Sequence, residues 1–400
     1  MPTRRDRRRG FATRAIHDAS IPVSGIAEEP VSMPIWLSAD YLYDSLEHYA
    51  DVMNDRRAGY VYGRYGGPTH TALHRVLASL GSAQSAWSFA SGMAALHTTL
   101  TSILGAGDHI VAQRALYGGT FSLVTTSFAR FGISSSLVEP EASSVAAAIR
   151  PETRAVLIET LANPTFRMSD VAGIAATCME AGVSLVVDNT VATAVLFRPL
   201  ELRGVELVVH ATTKYVGGHA DLMGGAVAGT RDRVEPIRHL AIEQGTTSGA
   251  FEAWLLLRGV QTLALRFERQ CSTALALATF LDGHPKVADV GYSGLPGHPD
   301  HDRATRLFGG RGYGAMLGFT LRGGYDAAQR ACDSLRLARV GSSFGSLRTE
   351  VCHPATTSHR QLSAEDRAAA GIGDGLIRVA VGGEDAEDLI EDFDQALEKA

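Results

Sequence analysis

Lysine is rare in this chain. Of 37 basic Lys and Arg residues only three are lysines: Lys214, Lys286 and Lys399. Lys286 follows His284-Pro285 in a loop-like stretch and Lys399 stands beside the C-terminus. Lys214 alone sits in an apolar, strand-like context with glycines after it, in His210-Ala211-Thr212-Thr213-Lys214-Tyr215. A second segment, Val186-Val187-Asp188-Asn189-Thr190, ends an apolar run in a carboxylate, where parallel sheets place ligands. By itself Asp188 reads equally well as a cap for the next element. Together the two supply what pyridoxal-5′-phosphate (PLP) chemistry requires. A lysine amine forms the Schiff base, and a carboxylate keeps the pyridine nitrogen protonated so that the ring accepts electrons. Ser91-Gly92-Met93-Ala94-Ala95, between a strand and a helix, could cradle the phosphate with backbone N–H groups at a helix N-terminus. Thr213 could add a hydroxyl. Ser-Gly alone marks only a helix start.

The elements that must position these residues follow from periodicity. Apolar runs at 87–90, 109–112, 154–159, 183–188, 205–210 and 225–229 read as strands. Helical spacing separates several of them, at 93–104, 120–131 and 171–181. Apolar strands alternating with helices imply a mostly parallel sheet covered on both faces. A long helical region spans about 251–281. Beyond the Gly/Pro/His-rich loop at 291–301, strands at 315–321 and 376–381 and helices near 325–337 and 385–397 form a smaller α+β unit. Residues 1–60, with Pro22, Pro30 and Pro34 and a short helix near 43–53, read as an arm that lies on a partner subunit. The expected division is arm 1–60, large cofactor domain 61–255, and C-terminal α+β domain 256–400 including the connecting helix.

Composition narrows the function classes. The chain has 400 residues, 45% of them hydrophobic and 20% charged, so it has enough material for more than one domain and little reason for wide disorder. Net charge −6 argues against a general nucleic-acid surface, and the basic run Arg4 to Arg9 reads as a solvated terminal arm. No apolar run is long enough to span a bilayer, and no secretory signal is evident. Cys178, Cys271, Cys332 and Cys352 are scattered without a CxxC pair, so neither a zinc site nor a disulfide framework is expected. The expected location is the cytoplasm.

From Thr13-Arg14-Ala15-Ile16-His17 to Ile377-Arg378-Val379-Ala380-Val381-Gly382 the chain resembles the Cys/Met-metabolism family of PLP enzymes. The lysine segment, continuing to Gly217-Gly218-His219-Ala220-Asp221, is the most specific match. The resemblance implies the PLP-transferase fold (fold type I), PLP on Lys214, Asp188 at the ring nitrogen, and shared sites in a homotetramer built as a dimer of dimers. Tyr62-Gly63-Arg64, before Gly67-Pro68-Thr69, resembles the segment that reaches the phosphate of the neighbouring subunit's cofactor. Tyr117 resembles the tyrosine that stacks on the ring and assists acid–base transfer, and Asn163 the asparagine near the ring hydroxyl. Ser343 and Arg378 resemble the pair that holds the substrate α-carboxylate. Without the family, Tyr62 and Tyr117 read as interface or core aromatics, Arg64 as a surface ion-pair partner and Asn163 as a turn residue. Arg378 on an apolar strand needs an anionic partner in any case.

Three positions depart from the family pattern. Ala211 stands where a serine is frequent. Gly119 stands where methionine γ-lyases commonly carry cysteine. Ser342 stands where cystathionine-handling members often carry a glutamate suited to a distal ammonium; Glu350 and Glu243 are candidates to replace that charge. His353-Pro354-Ala355-Thr356-Thr357-Ser358-His359 resembles lyases and sulfhydrylases alike. The expected activity is γ-elimination from a sulfur amino acid, methionine first. Cystathionine chemistry and γ-replacement by an O-acylhomoserine sulfhydrylase are the alternatives. A catalytically silent binding subunit is the alternative of a different class.

Overall fold

The structure is a computed structural model that describes residues 9–18, 21, 30–360 and 363–400. Arg4 to Arg8 of the basic run, and Pro22, lie outside the described residues. Seven strands form the larger sheet: β1 (Ser85–Phe89), β2 (His109–Gln113), β3 (Ser134–Val138), β4 (Thr153–Glu159), β5 (Ser184–Asp188), β6 (Leu207–His210) and β7 (Gly225–Gly229). Their order is β1-β7-β6-β5-β4-β2-β3. The run β6-β5-β4-β2-β3 is parallel throughout. Only β7 is reversed, antiparallel to both β6 and β1, so β1 runs in the same sense as β6.

The side-chain alternation of these strands builds two cores. Val156, Ile158, Leu185, Val187 and Val208 enter one apolar cluster. Ala155, Leu157, Val186, Leu207 and Val209 enter the other. Both faces are therefore buried, as the unbroken apolar runs require. The polar edge strand β3, Ser134-Ser135-Ser136-Leu137-Val138, carries no such signal because an edge strand is only partly covered.

The second sheet has order β10-β11-β12-β9-β8, with β8 (Val287–Gly291), β9 (Met316–Leu321), β10 (Arg339–Val340), β11 (Glu350–Cys352) and β12 (Leu376–Ala380). It packs a separate cluster that includes Leu317, Phe319, Ile377, Val379 and Phe393. The helical region expected at 251–281 is two helices, Ala250–Val260 and Leu263–Asp282, so the boundary drawn at 255/256 falls inside the first. Arg266, on the second helix, donates to the carbonyls of Tyr215 (2.9 Å) and Gly259 (2.8 Å), tying that helix to the segment after Lys214. In the arm, Val31, Leu37, Leu42 and Leu46 are strongly exposed, an unusual concentration of uncovered apolar side chains.

Candidate active site

Because β1, β2, β4, β5 and β6 run the same way, their carboxyl ends open at one edge of the sheet. Glu159 ends β4 and Asp188 ends β5, paired directly in register. Lys214 follows β6, Tyr117 follows β2, and the helix Gly92–Thr101 follows β1. These residues line one cavity of about 640 Å³, together with Met93, Asn163 and Thr213. The C-terminal unit supplies Ser342, Ser343, Phe344, Ser358, Arg360 and Arg378 to the same cavity. That volume lies within the usual range for a small-molecule site.

The Lys214 amine donates to Ser343 Oγ at 2.8 Å and lies over the Phe344 ring, 4.7 Å from its centroid. Burial first, then the Arg378 guanidinium, brings the pKa of this amine down to about 8, against a smaller upward pull from Glu350. An amine near 8 is available as a free base at neutral pH far more often than an ordinary lysine. The loop carrying Ser343 reaches Lys214 through Gly345. With φ +89° and a would-be Cβ only 2.5 Å from Tyr215 N, this position accommodates no side chain.

Asp188 Oδ1 accepts from the Thr190 N–H (2.9 Å) and hydroxyl (2.5 Å). Thr190 Oγ1 in turn accepts from the Ala211 N–H, linking the carboxylate to the lysine segment. Burial raises the pKa of the Asp188 carboxyl despite the two Thr190 bonds. No cation among the described residues is paired with it, so the site lacks the positive partner that a protonated ring nitrogen would provide.

In the sequence Glu159 is only the end of a strand. Its Oε1 accepts from the Tyr117 N–H at 2.7 Å and its Oε2 from the Asn163 N–H at 3.2 Å. One carboxylate thus fixes two loops that carry site residues. Burial, and next the Asp188 charge, pushes its pKa up to about 8, while the two N–H bonds oppose the rise. Its place at the end of an apolar strand is legible in the sequence; the two loops that it holds are not.

The other expected residues divide. A Cβ on Gly92 would lie 2.6 Å from Ala211 Cβ, so glycine lets the helix start close against the lysine segment. Ser91 caps that helix, its hydroxyl accepting from the Ala94 N–H. Asn163 is buried, with its Oδ1 unpartnered, and Arg378 is 2% exposed with its Nε unpartnered. The Arg378 Nη2 donates to the carbonyls of Ser342 (3.1 Å) and Ser343 (2.9 Å). Thr213 lines the cavity, but its hydroxyl donates to the Gly224 carbonyl (3.2 Å) and accepts from the Gly224 N–H (2.9 Å), so its proton is engaged locally. Tyr117 is half-exposed in the cavity wall.

Tyr62 and Arg64 do not line this cavity. Arg64 is exposed, donating to the Ile242 carbonyl at 2.7 Å, with its guanidinium over Tyr62 and Tyr65. Glu350 is not a wall residue either. Its Oε2 accepts from the Ser343 N–H and its Oε1 from the Ser346 hydroxyl. Glu243 is exposed and outside the cavity. Arg360, which nothing in the sequence singles out, lies in the wall.

These residues fit PLP on four counts: a depressed lysine, a buried carboxylate without a cation, an orphaned Asn163 oxygen, and a helix start kept open by glycine. The chain is 37% identical over 395 residues to an L-methionine γ-lyase of Treponema denticola, covering 98% of this chain and 97% of that one. It is 39% identical over 384 residues to an O-succinylhomoserine sulfhydrylase of Mycobacterium tuberculosis, covering 94% and 92%. The solved structure of cystathionine γ-lyase from Lactobacillus plantarum complexed with L-serine superposes with a TM-score of 0.90 at 32% identity, covering 98% and 99%. Residues 12–398 match the family of Cys/Met metabolism PLP-dependent enzymes, and the chain belongs to that family.

Proposed function

We propose that this enzyme uses PLP to break the bond at the γ-carbon of a sulfur amino acid, with methionine as the leading substrate. Methionine and water would give methanethiol, 2-oxobutyrate and ammonia. The observation that carries the reading is the depressed Lys214 amine in one cavity with Asp188 and the unpartnered Arg378 Nε. When bound, PLP supplies an aldehyde for amines and a ring that takes up electron pairs.

The chain's own residues have these parts. Lys214 holds the cofactor, and its Nζ, once free, takes the α-proton. Asp188 keeps the ring nitrogen protonated. Asn163 would meet the ring hydroxyl, and Gly92, Met93 and Thr213 would hold the phosphate. Thr213 serves there only if its hydroxyl turns from Gly224. Tyr117 would pack on the ring and carry the proton that the departing sulfur needs. Arg378 and Ser343 hold the substrate α-carboxylate. Tyr62 and Arg64 reach the phosphate of a neighbouring subunit, which their absence from their own cavity and the uncovered arm support. The assembly is then at least a dimer, paired into a homotetramer, and the protein is cytoplasmic. The division into arm 1–60, cofactor domain 61–255 and C-terminal domain 256–400 belongs to the same proposal.

Cystathionine is the weaker substrate because, among the described residues, no free carboxylate faces the outer part of the cavity to meet its distal ammonium: Ser342 is neutral, Glu350 is turned onto its own loop, and Glu243 is outside. Arg360 in the wall favours a second reading, γ-replacement on an activated homoserine. Incubating the holoenzyme with methionine and no amino acceptor tests the first. Release of 2-oxobutyrate with methanethiol is expected. Turnover of O-acylhomoserines with a thiol, but none of methionine, would transfer the assignment to replacement.

A further inference from the structure

Segment 353–360 follows β11 and reaches from the C-terminal unit to the loops of the larger sheet. Its last residues alternate. Ser358 and Arg360 stand in the cavity wall, whereas His359 between them lies behind it, 2% exposed. The imidazole packs against Leu116, Gly118, Phe121 and Pro164, which flank Tyr117 and Asn163. Ser358 Oγ is 2.9 Å from His359 Nδ1. Nε2 is buried and has no hydrogen-bond partner among the described residues. Burial lowers the pKa of the ring; the Leu116 main chain, and less strongly that of Asn163, act the other way, against the Arg378 guanidinium. A main-chain group that raises the pKa of a base does so as an acceptor, so the groups facing the ring are carbonyls. Nε2 therefore carries the proton, and Nδ1 accepts from the Ser358 hydroxyl. The gap beside the ring is about 10 Å³, no larger than one water.

The Leu116 carbonyl and the Tyr117 N–H belong to one trans peptide unit, in which they point opposite ways. Glu159 Oε1 accepts from that N–H at 2.7 Å, and its Oε2 from the Asn163 N–H at 3.2 Å. The peptide that carries Tyr117 is thus gripped by Glu159 from the sheet and faced by His359 from the C-terminal unit. Tyr117 is half-exposed and has little packing of its own. A phenol that must lie on a ring and deliver a proton has to be held within about 0.5 Å, so its backbone must hold it. We propose that His359 is a positioning residue: by donating from Nε2 to the Leu116 carbonyl it fixes the Tyr117 peptide opposite Glu159 and ties the phenol to the wall formed by Ser358 and Arg360. The substrate wall and the tyrosine then move as one body. This inference rests on the proposed γ-carbon reaction, because His359 acts through the part given there to Tyr117.

Three variants of the holoenzyme, assayed with methionine, test this. His359→Gln keeps an N–H donor near the place of Nε2, His359→Asn keeps one only near Nδ1, and His359→Leu keeps neither. In His359→Leu and His359→Asn, kcat should fall about tenfold with KM within about twofold of the parent, and His359→Gln should recover most of the loss. In a Tyr117→Phe background the same substitutions should change kcat by no more than about twofold, because the group they position is gone. A residue that only supports the fold would give losses that multiply. Hydrogen–deuterium exchange of the cofactor-free protein, followed by mass spectrometry, reads the positioning without turnover. His359→Leu should speed exchange in segments 115–122 and 160–168 as well as in 353–360. Should His359→Leu fail to fold, His359→Asn against His359→Gln decides by the same criteria. If the parent turns over neither methionine nor an O-acylhomoserine while exchange still rises in the two distant segments, the γ-carbon reading fails and the positioning by His359 stands. Losses that multiply with Tyr117→Phe, a His359→Gln no better than His359→Asn, or faster exchange confined to 353–360 overturns the assignment.

Discussion

Replacing Lys214 with methionine should stabilise the cofactor-free protein. The pKa of its amine is brought from 10.5 to about 8 by burial and by Arg378. A tenfold change in proton affinity corresponds to about 1.4 kcal/mol, so the buried ammonium costs on the order of 3 kcal/mol at pH 7. Methionine of similar length removes that charge from beside Arg378 and keeps the apolar stem, but it loses the bond to Ser343 Oγ and the contact with the Phe344 ring. A neutral hydrogen bond is worth about 1 kcal/mol, so a net gain of about 2 kcal/mol remains. The sign of the pH dependence is fixed. A base whose folded value is lowered contributes full stability above its unfolded value, near 10.5, and loses it as pH falls through about 8. The advantage of Lys214→Met should therefore be greatest below pH 8 and vanish by about pH 10.5. Thermal unfolding of cofactor-stripped parent and variant at pH 7 and pH 10.5, at equal protein concentration, measures it. A variant less stable at pH 7, or a difference that does not change with pH, refutes the idea that the amine is held at a cost.

Two further outcomes test the site. Asp188→Asn should retain cofactor yet slow α-deuterium exchange on a bound amino acid by at least about a hundredfold, because a neutral amide cannot hold a ring nitrogen protonated; exchange at the parental rate would leave Asp188 as a strand-end cap. Arg64→Ala and Lys214→Ala, each weak or inactive alone, should regain part of the activity when their subunits are exchanged, since one hybrid site then has both residues intact. Mixing that restores nothing, with exchange demonstrated by labelled subunits, removes Arg64 from the neighbouring site.

What the sequence discloses follows from which physical signals are local. The strands β4, β5, β6 and β7 are apolar on both faces, and their limits are nearly those read from composition alone. Lys214 stands out because lysine is scarce, and Asp188 because it ends such a strand. The helix Arg231–Gln244 escapes notice because it is polar over most of its surface and contains Pro236. The expected helix at 120–131 is a short α-turn at Gly118–Ser122 that widens into a π-turn and closes as a 3₁₀ turn, a change in winding that side-chain periodicity does not report. Glu159 and Arg360 are beyond reach for another reason. Their significance depends on partners distant in the chain: Glu159 on Tyr117, 42 residues before it, and Arg360 on a wall built mostly by other segments. The same applies to Thr213, whose hydroxyl is a free donor on paper but is bound to Gly224, 11 residues on.

The charges around the cavity are unfavourable for the protein alone and in opposite senses. Glu159 has a folded pKa raised from 4.5 to about 8, so its contribution is full below the unfolded value and lost as pH rises through about 8. Lys214 loses its contribution as pH falls through the same region. No pH near neutrality suits both. Moving the sheet edge or the lysine would relieve the conflict, but register pins Glu159 beside Asp188, and the Gly345 contact pins the Ser343 loop on Lys214. A guest with a positive ring nitrogen against Asp188 reduces the repulsion felt by Glu159, and a guest that engages the lysine as a neutral amine removes the ammonium from beside Arg378. Both gains are available only to the folded state, so they add to its stability as well as to affinity. A cofactor that met these three side chains in the proposed way would return that cost, so the strained set of charges and the fit to PLP would be one property of the site.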